Sequence, residues 1–239
     1  MGFFDSGNRF VKTQTAVVTI IIINVIVYAL QLLFKSYNIT EWGSLHYFTS
    51  PAFFPHQIIT SVFMHSDDFT RGSGFTHILF NMFCLYTFGT MLERVWGAKK
   101  FFMFYMICGV GASVIMMLAI PFTAEQFAKS AEAAKYGGYS TDLVKTYINQ
   151  YSALGASGAI MGVEAAFVYL FPNVELMIMF IPIPIKAKYI IPAFILLDLF
   201  GGFYRIAGDN IGHFAHLGGA LIGFLLVLYW NKTNRKTFY

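Results

Sequence analysis

Charge is what this sequence has least of. Asp, Glu, Lys and Arg make up 12% of its 239 residues, about half the share of an ordinary soluble domain. Hydrophobic residues make up 57% and the mean hydropathy is +0.61, which leaves too little polar surface to keep a chain of this size dissolved. Cysteine is scarce as well. Cys84 and Cys108 both lie inside apolar runs, so they read as small buried hydrophobes and imply neither a disulfide nor a CxxC metal site. The opening MGFFDSGNRFVK has no short apolar core followed by a small-residue cleavage site, and the first apolar run is long enough to stay in a membrane. No internal repeat is evident. A disordered chain, a collagen-like rod and a disulfide scaffold are poor fits to this composition. What is abundant is aromatic: 18% of residues, including 27 Phe, a composition suited to lipid-facing and interfacial surfaces. The expectation is an all-α polytopic membrane protein.

A helix needs about 20 apolar residues to cross the bilayer core. Six candidate spans run from Ala16 to Phe34, Phe75 to Met91, Phe101 to Phe122, Leu154 to Phe171, Tyr189 to Tyr204 and Ile211 to Trp230. The stretch Val174–Ile185 is too short and carries Pro182 and Pro184, so it reads as an interfacial loop. One membrane domain then accounts for residues 1–239, with short tails at 1–15 and 231–239. An aromatic-rich interfacial loop covers 35–74, and an extramembrane insertion covers 121–152 with two short amphipathic pieces. Six spans put both termini on one side, and ten of the 16 Lys and Arg, among them Arg9, Arg94, Lys186 and Lys232, fall there. The positive-inside rule makes that side the cytoplasm. The net charge of +4 is thereby accounted for by topology, and a nucleic-acid partner is not expected.

Polar groups among lipid are expensive, so each invites a functional reading. His77 and Asn81 stand four apart in the second span, on one helical face. In the fourth, GASGAIMG sets Ser157 among Gly155, Gly158 and Gly162. In the sixth, GHFAHLGGALIG sets His216 on a stripe with Gly212, Gly219 and Gly223. Taken singly these have ordinary explanations: a membrane-helix Ser bonds a backbone carbonyl, and small-xxx-small pairs pack helices. Together they say more. Two glycine-striped helices approach closely, and each carries half of a nucleophile–base pair beside its glycines. A neutral imidazole takes the proton of a Ser hydroxyl as that hydroxyl attacks a carbonyl. The developing oxyanion would meet the unpaired N–H groups at the start of the Ser157 helix and donors from His77 and Asn81.

HILFN (His77–Asn81), GASG (Gly155–Gly158), AHLGGALIG (Ala215–Gly223) and ERVWG (Glu93–Gly97), in this order and on these spans, resemble the rhomboid family of intramembrane serine proteases. The resemblance covers nearly the whole chain. It implies a Ser–His dyad with no Asp, Ser157 as nucleophile and His216 as general base. It further implies an oxyanion hole from His77, Asn81 and the Ser157 N–H, no cofactor, and cleavage within or near a substrate's transmembrane helix at the non-cytoplasmic face. His213 would be a supporting hydrogen-bonder, His65 structural, and His46 and His56 interfacial. Three departures stand out. The family often has a Trp-Arg pair in the first loop where this chain has His56-Gln57, and often a Tyr four residues after the nucleophile where this chain has Met161. The insertion before the fourth span is longer than in compact members. Glu164, two turns below Ser157, reads as an interhelical hydrogen-bonder.

Three other functions match the residues less well. Zinc on His77, His213 and His216 lacks an HExxH motif or a Cys partner, so no metal is expected. A channel using Glu164 and Asp198 lacks a repeat or broken-helix signature. A catalytically silent relative that binds membrane clients is the main alternative, and such relatives generally lack the Ser or His retained here. The expected partners are transmembrane-helix polypeptides and the lipid bilayer. The expected location is a bacterial cytoplasmic membrane, and oligomeric state is not legible.

Overall fold

The computed structural model describes residues 15–67, 74–130, 135–178, 181–204 and 212–233. Most of both tails, with Arg9, lies outside these residues, as do 68–73 of the first loop, 131–134 of the insertion and the expected start of the sixth span at Ile211.

Helix α1 (Thr15–Leu33) fills the first expected span. The segment that follows is more structured than the interfacial loop expected for it. It holds the short helices α2 (Ile39–Gly43) and α3 (Gln57–Thr60), with strand β1 (Leu45–His46) between them. Helices α4 (Gly74–Trp96) and α5 (Ala98–Lys129) fill the second and third spans. The third does not stop near Phe122. Pro121 lies inside α5, and the start of the first amphipathic piece of the insertion, up to Lys129, continues the same helix, tied across by a Gln126 Nε2 bond to the Phe203 carbonyl. The second piece forms α6 (Thr141–Gln150), capped by Ser140 Oγ accepting from Leu143 N–H. Strand β2 (Ser152–Ala153) pairs antiparallel with β1. Next come α7 (Ser157–Leu170), the antiparallel hairpin of β3 (Glu175–Ile178) and β4 (Ile181–Lys186), α8 (Ala187–Phe203) and α9 (His213–Thr233). Most of the expected loop Val174–Ile185 is therefore paired strand. Pairing satisfies backbone groups that an open loop would leave to water.

The six apolar helices form the all-α bundle expected from the sequence. Among the described residues, α1, α4, α5 and α9 are long and apolar enough to cross a bilayer. Helix α7 has only 14 residues, yet it is the centre of the molecule. Every residue from Gly158 to Phe167 is buried, against α4, α5, α8 and α9, as expected of a helix apolar all round.

One end of the bundle is locked by Glu93. Its carboxylate accepts from the N–H groups of Ala16 and Val17, each at 2.9 Å, capping the otherwise unpaired start of α1. Nearby, the Trp96 and Trp230 rings meet edge to face, with Lys100 Nζ 4.4 Å from the Trp230 centroid. The start of α1, the α4–α5 turn and the end of α9 therefore share one face, as the even span count requires.

The departure at His56-Gln57 does not leave the first loop loose. Gln57 is fully buried, donates to the Trp42 and Ala52 carbonyls, and accepts from His46 N–H. His56 stacks on Trp42 with centroids 4.1 Å apart. His46 is a correction: it is fully buried, not interfacial, with Nε2 2.8 Å from Glu41.

Candidate active site

Ser157 is the first residue of α7. The chain reaches it through β2, held by β1, and through Gly155, whose N–H donates to the Ser61 carbonyl. Gly155 has φ +127°, a conformation that residues with a Cβ rarely adopt. An added Cβ there would stand 3.1 Å from the His77 ring and 3.6 Å from Ser157 Oγ. Glycine is thus required by backbone and by space, and it lets α4 bring His77 up to the serine. The first N–H groups of α7 have no intrahelical acceptors, since the ladder starts with Ile160 N–H to the Ala156 carbonyl.

Helix α7 is short for a bilayer. Fourteen residues rise about 21 Å against a hydrocarbon core of about 30 Å. The other end of α7 is tied to a basic segment, with Lys188 N–H donating to the Pro172 carbonyl beside Lys186. Lysines favour the headgroup level. Helix α7 is thus about 9 Å shorter than such a core.

Helix α9 supplies the base. His216 Nε2 lies 2.8 Å from Ser157 Oγ. The approach depends on glycines in both helices. A Cβ on Gly219 would overlap the Gly158 carbonyl oxygen, and one on Gly223 would overlap that of Gly162. On the α7 side, a Cβ on Gly158 would stand 3.2 Å from the Ala215 carbonyl oxygen and one on Gly162 2.9 Å from that of Gly219, while Ala112 and Cys108 of α5 crowd the same two positions from behind. Gly212 is not part of this stripe. It precedes α9, and its carbonyl accepts from Ala215 and His216 N–H.

His77 and Asn81 line the same cavity as Ser157 and His216, about 850 Å³ in volume. His77 Nδ1 faces the Ser66 N–H over a long 3.5 Å contact, an arrangement that suits a hydrogen on Nε2. Asn81 Nδ2 donates to the His77 carbonyl at 2.9 Å, and its amide has a second hydrogen to offer. Glu164 lies deeper in this cavity against the Cys84 thiol of α4, so it does bridge helices, and Cys84 is more than an apolar filler. Met161 packs with Ala165, Ala220 and Ile195.

The structure adds a contact that the resemblance does not imply: Asp198 Oδ1 on α8 lies 3.0 Å from His216 Nδ1 and 2.7 Å from His213 Nδ1. In the sequence Asp198 stands out only as an acid within the fifth span. Its separation of 18 residues from His216, on a different helix, carries no local signal.

His65 is buried beside His77, with ring centroids 5.3 Å apart, and its Nε2 has no hydrogen-bond partner. Burial, reinforced by the His77 charge, pushes its pKa down to about 3 against the Phe63 carbonyl bond. The unfolded chain takes up this proton near pH 6.5. Stability supplied by the neutral ring is therefore full above pH 6.5 and lost progressively as pH falls toward 3. The melting temperature in detergent is expected to drop across that window, and His65→Phe is expected to flatten the drop. An unchanged slope would rule this out.

A rhomboid-domain family model matches residues 55–232. Among curated relatives, mitochondrial Rhomboid protein 1 of Saccharomyces cerevisiae is 30% identical over 179 residues, 75% of this chain and 43% of that protein. Mitochondrial RHOMBOID-like protein 12 of Arabidopsis thaliana is 29% identical over 77% of this chain and 48% of its own length. Rhomboid protease AarA of Providencia stuartii is 28% identical over 87% of this chain and 69% of its own. The chain thus spans less than half the length of the first two. An integral membrane protein is supported. With mitochondrial names prominent among the relatives, the bacterial inner membrane expected from the sequence is not.

Proposed function

This chain belongs to the rhomboid family, and on that premise we propose that it is an intramembrane serine endopeptidase acting on transmembrane or membrane-proximal polypeptide segments. The observation that carries the reading is the 2.8 Å bond from Ser157 Oγ to His216 Nε2 on the wall of a cavity. Ser157 Oγ attacks the scissile carbonyl carbon while its proton passes to His216 Nε2. The carbonyl electrons move onto oxygen, where the Ser157 N–H, His77 Nε2–H and Asn81 Nδ2–H are placed to donate. Collapse breaks the C–N bond, and the leaving amine takes the proton from Nε2. Water then repeats the sequence on the acyl ester and releases a carboxylate. A serine at the start of α7, away from the basic segment at its other end, favours a bond near the membrane face opposite the termini. A helical peptide bond is shielded by its own hydrogen bonds, so segments with small or helix-breaking residues are the expected substrates.

The alternative, a silent client-binding relative, is disfavoured because it has no use for the Ser157–His216 bond. The test uses the purified chain in detergent with a fluorescent transmembrane substrate and a fluorophosphonate probe. Cleavage and probe attachment at Ser157 are expected, and both are expected to vanish in Ser157→Ala. Folded wild-type protein that neither cleaves nor labels would favour the binding reading.

A further inference from the structure

The proposed reaction uses one ring nitrogen of His216, and the structure accounts for the other. An ionised carboxylate is an acceptor only. With His216 Nδ1 at 3.0 Å and His213 Nδ1 at 2.7 Å from the same Asp198 oxygen, both imidazoles carry a hydrogen on Nδ1 directed at it. For His216 this leaves the Nε2 lone pair facing Ser157 Oγ. We infer that Asp198 is a positioning residue for this reaction. It holds His216 in the tautomer and orientation that accept the Ser157 proton, and it stabilises the imidazolium that results, while His213 shares the carboxylate and braces it. The inference rests on the endopeptidase reading.

The surroundings favour this role. The side chains of Asp198, His213 and His216 are 13%, 13% and 18% exposed, so water screens the pairs weakly and charge-assisted bonds gain strength. The helices are shaped for the contact. A Cβ on Gly201, one turn along α8 from Asp198, would stand 2.5 Å from the His213 ring, so glycine gives that imidazole its seat. The proton balance is simple. The Ser157 proton moves to Nε2 and later to the leaving amine, while Nδ1–H stays bonded to Asp198, which neither gains nor loses a proton.

A purely structural Asp198, clamping α8 to α9, would have the same contacts but different kinetics. The test measures kcat, KM, melting temperature and the fluorophosphonate labelling rate of Ser157 in the full chain. The wild type is compared with Asp198→Asn and Asp198→Glu. Asp198→Asn keeps the shape and loses the charge, so kcat is expected to fall about 100-fold or more, with KM within about twofold and labelling slowed in parallel. Asp198→Glu keeps a carboxylate and is expected to recover at least about a tenth of wild-type kcat. The inference is overturned if Asp198→Asn keeps kcat within about threefold. It is overturned too if KM and melting temperature move together with kcat. Should Asp198→Asn fail to fold, Asp198→Glu decides: a folded protein as inactive as Ser157→Ala refutes the role. A wild type that neither cleaves nor labels would sink the endopeptidase reading itself, a result distinct from any difference among the variants.

Discussion

Ser157→Ala, His216→Ala and the double variant are expected to fall to one common residual rate, about 10⁴-fold or more below wild type in kcat. The reason is that nucleophile and base act as a unit. Without the Oγ there is no proton for His216 Nε2 to accept at 2.8 Å, and without the imidazole the hydroxyl is a weak nucleophile. Removing the second partner from a pair already broken costs nothing further. What survives is set by the groups both variants retain: the unpaired N–H groups at the start of α7, and the His77 and Asn81 donors. Steady-state cleavage of a transmembrane substrate by the three variants checks this. A double variant slower than both singles by the product of their effects would mean that the residues act independently, and the assignment would fail.

Gly219→Ala is expected to cost at least about 10²-fold in kcat/KM, with about 3 kcal/mol of stability, although it adds a single methyl group far from the cut bond. That methyl has nowhere to go, because it would overlap the Gly158 carbonyl oxygen. Backbone cannot swing aside as the tip of a flexible side chain does, so α7 and α9 must part. Ser157 precedes Gly158 and His216 lies one turn before Gly219, so the parting falls on the reacting pair itself. A displacement of about 1 Å is enough for a loss of that order. Gly202→Ala serves as the control. Its nearest neighbour is an ordinary 3.4 Å contact, and rate and melting temperature are expected to stay near wild type. Equal tolerance at both positions would show that the helices are not held by backbone contact at Gly219.

Much of this was legible in the chain because membrane helices advertise themselves. All six spans were placed by apolar length, and each is a helix. Pairing Ser157 with His216 rested on glycine spacing, and the close backbone contacts of Gly158 and Gly162 with Gly219 and Gly223 are its realisation. Where hydropathy was the wrong guide, the errors have causes. Hydrophobicity fades after Phe122 but helicity does not, so α5 runs on through Pro121 to Lys129. Val174–Ile185 is too short to cross and so read as a loop, but most of it pairs as antiparallel strands. His46 sits in an aromatic-rich stretch of interfacial composition, yet it is the buried partner of Glu41 and Gln57.

By itself, then, the sequence determined the membrane class, the helices, and the residue types of the candidate site, since these depend on local composition and on periodicity along one helix. Only packing brings one Asp198 oxygen against two histidines, buries Gln57 in the first loop and sets Ser157 at the head of a 14-residue helix. Each of these depends on distances between segments remote in sequence, and such distances are set only when the helices pack.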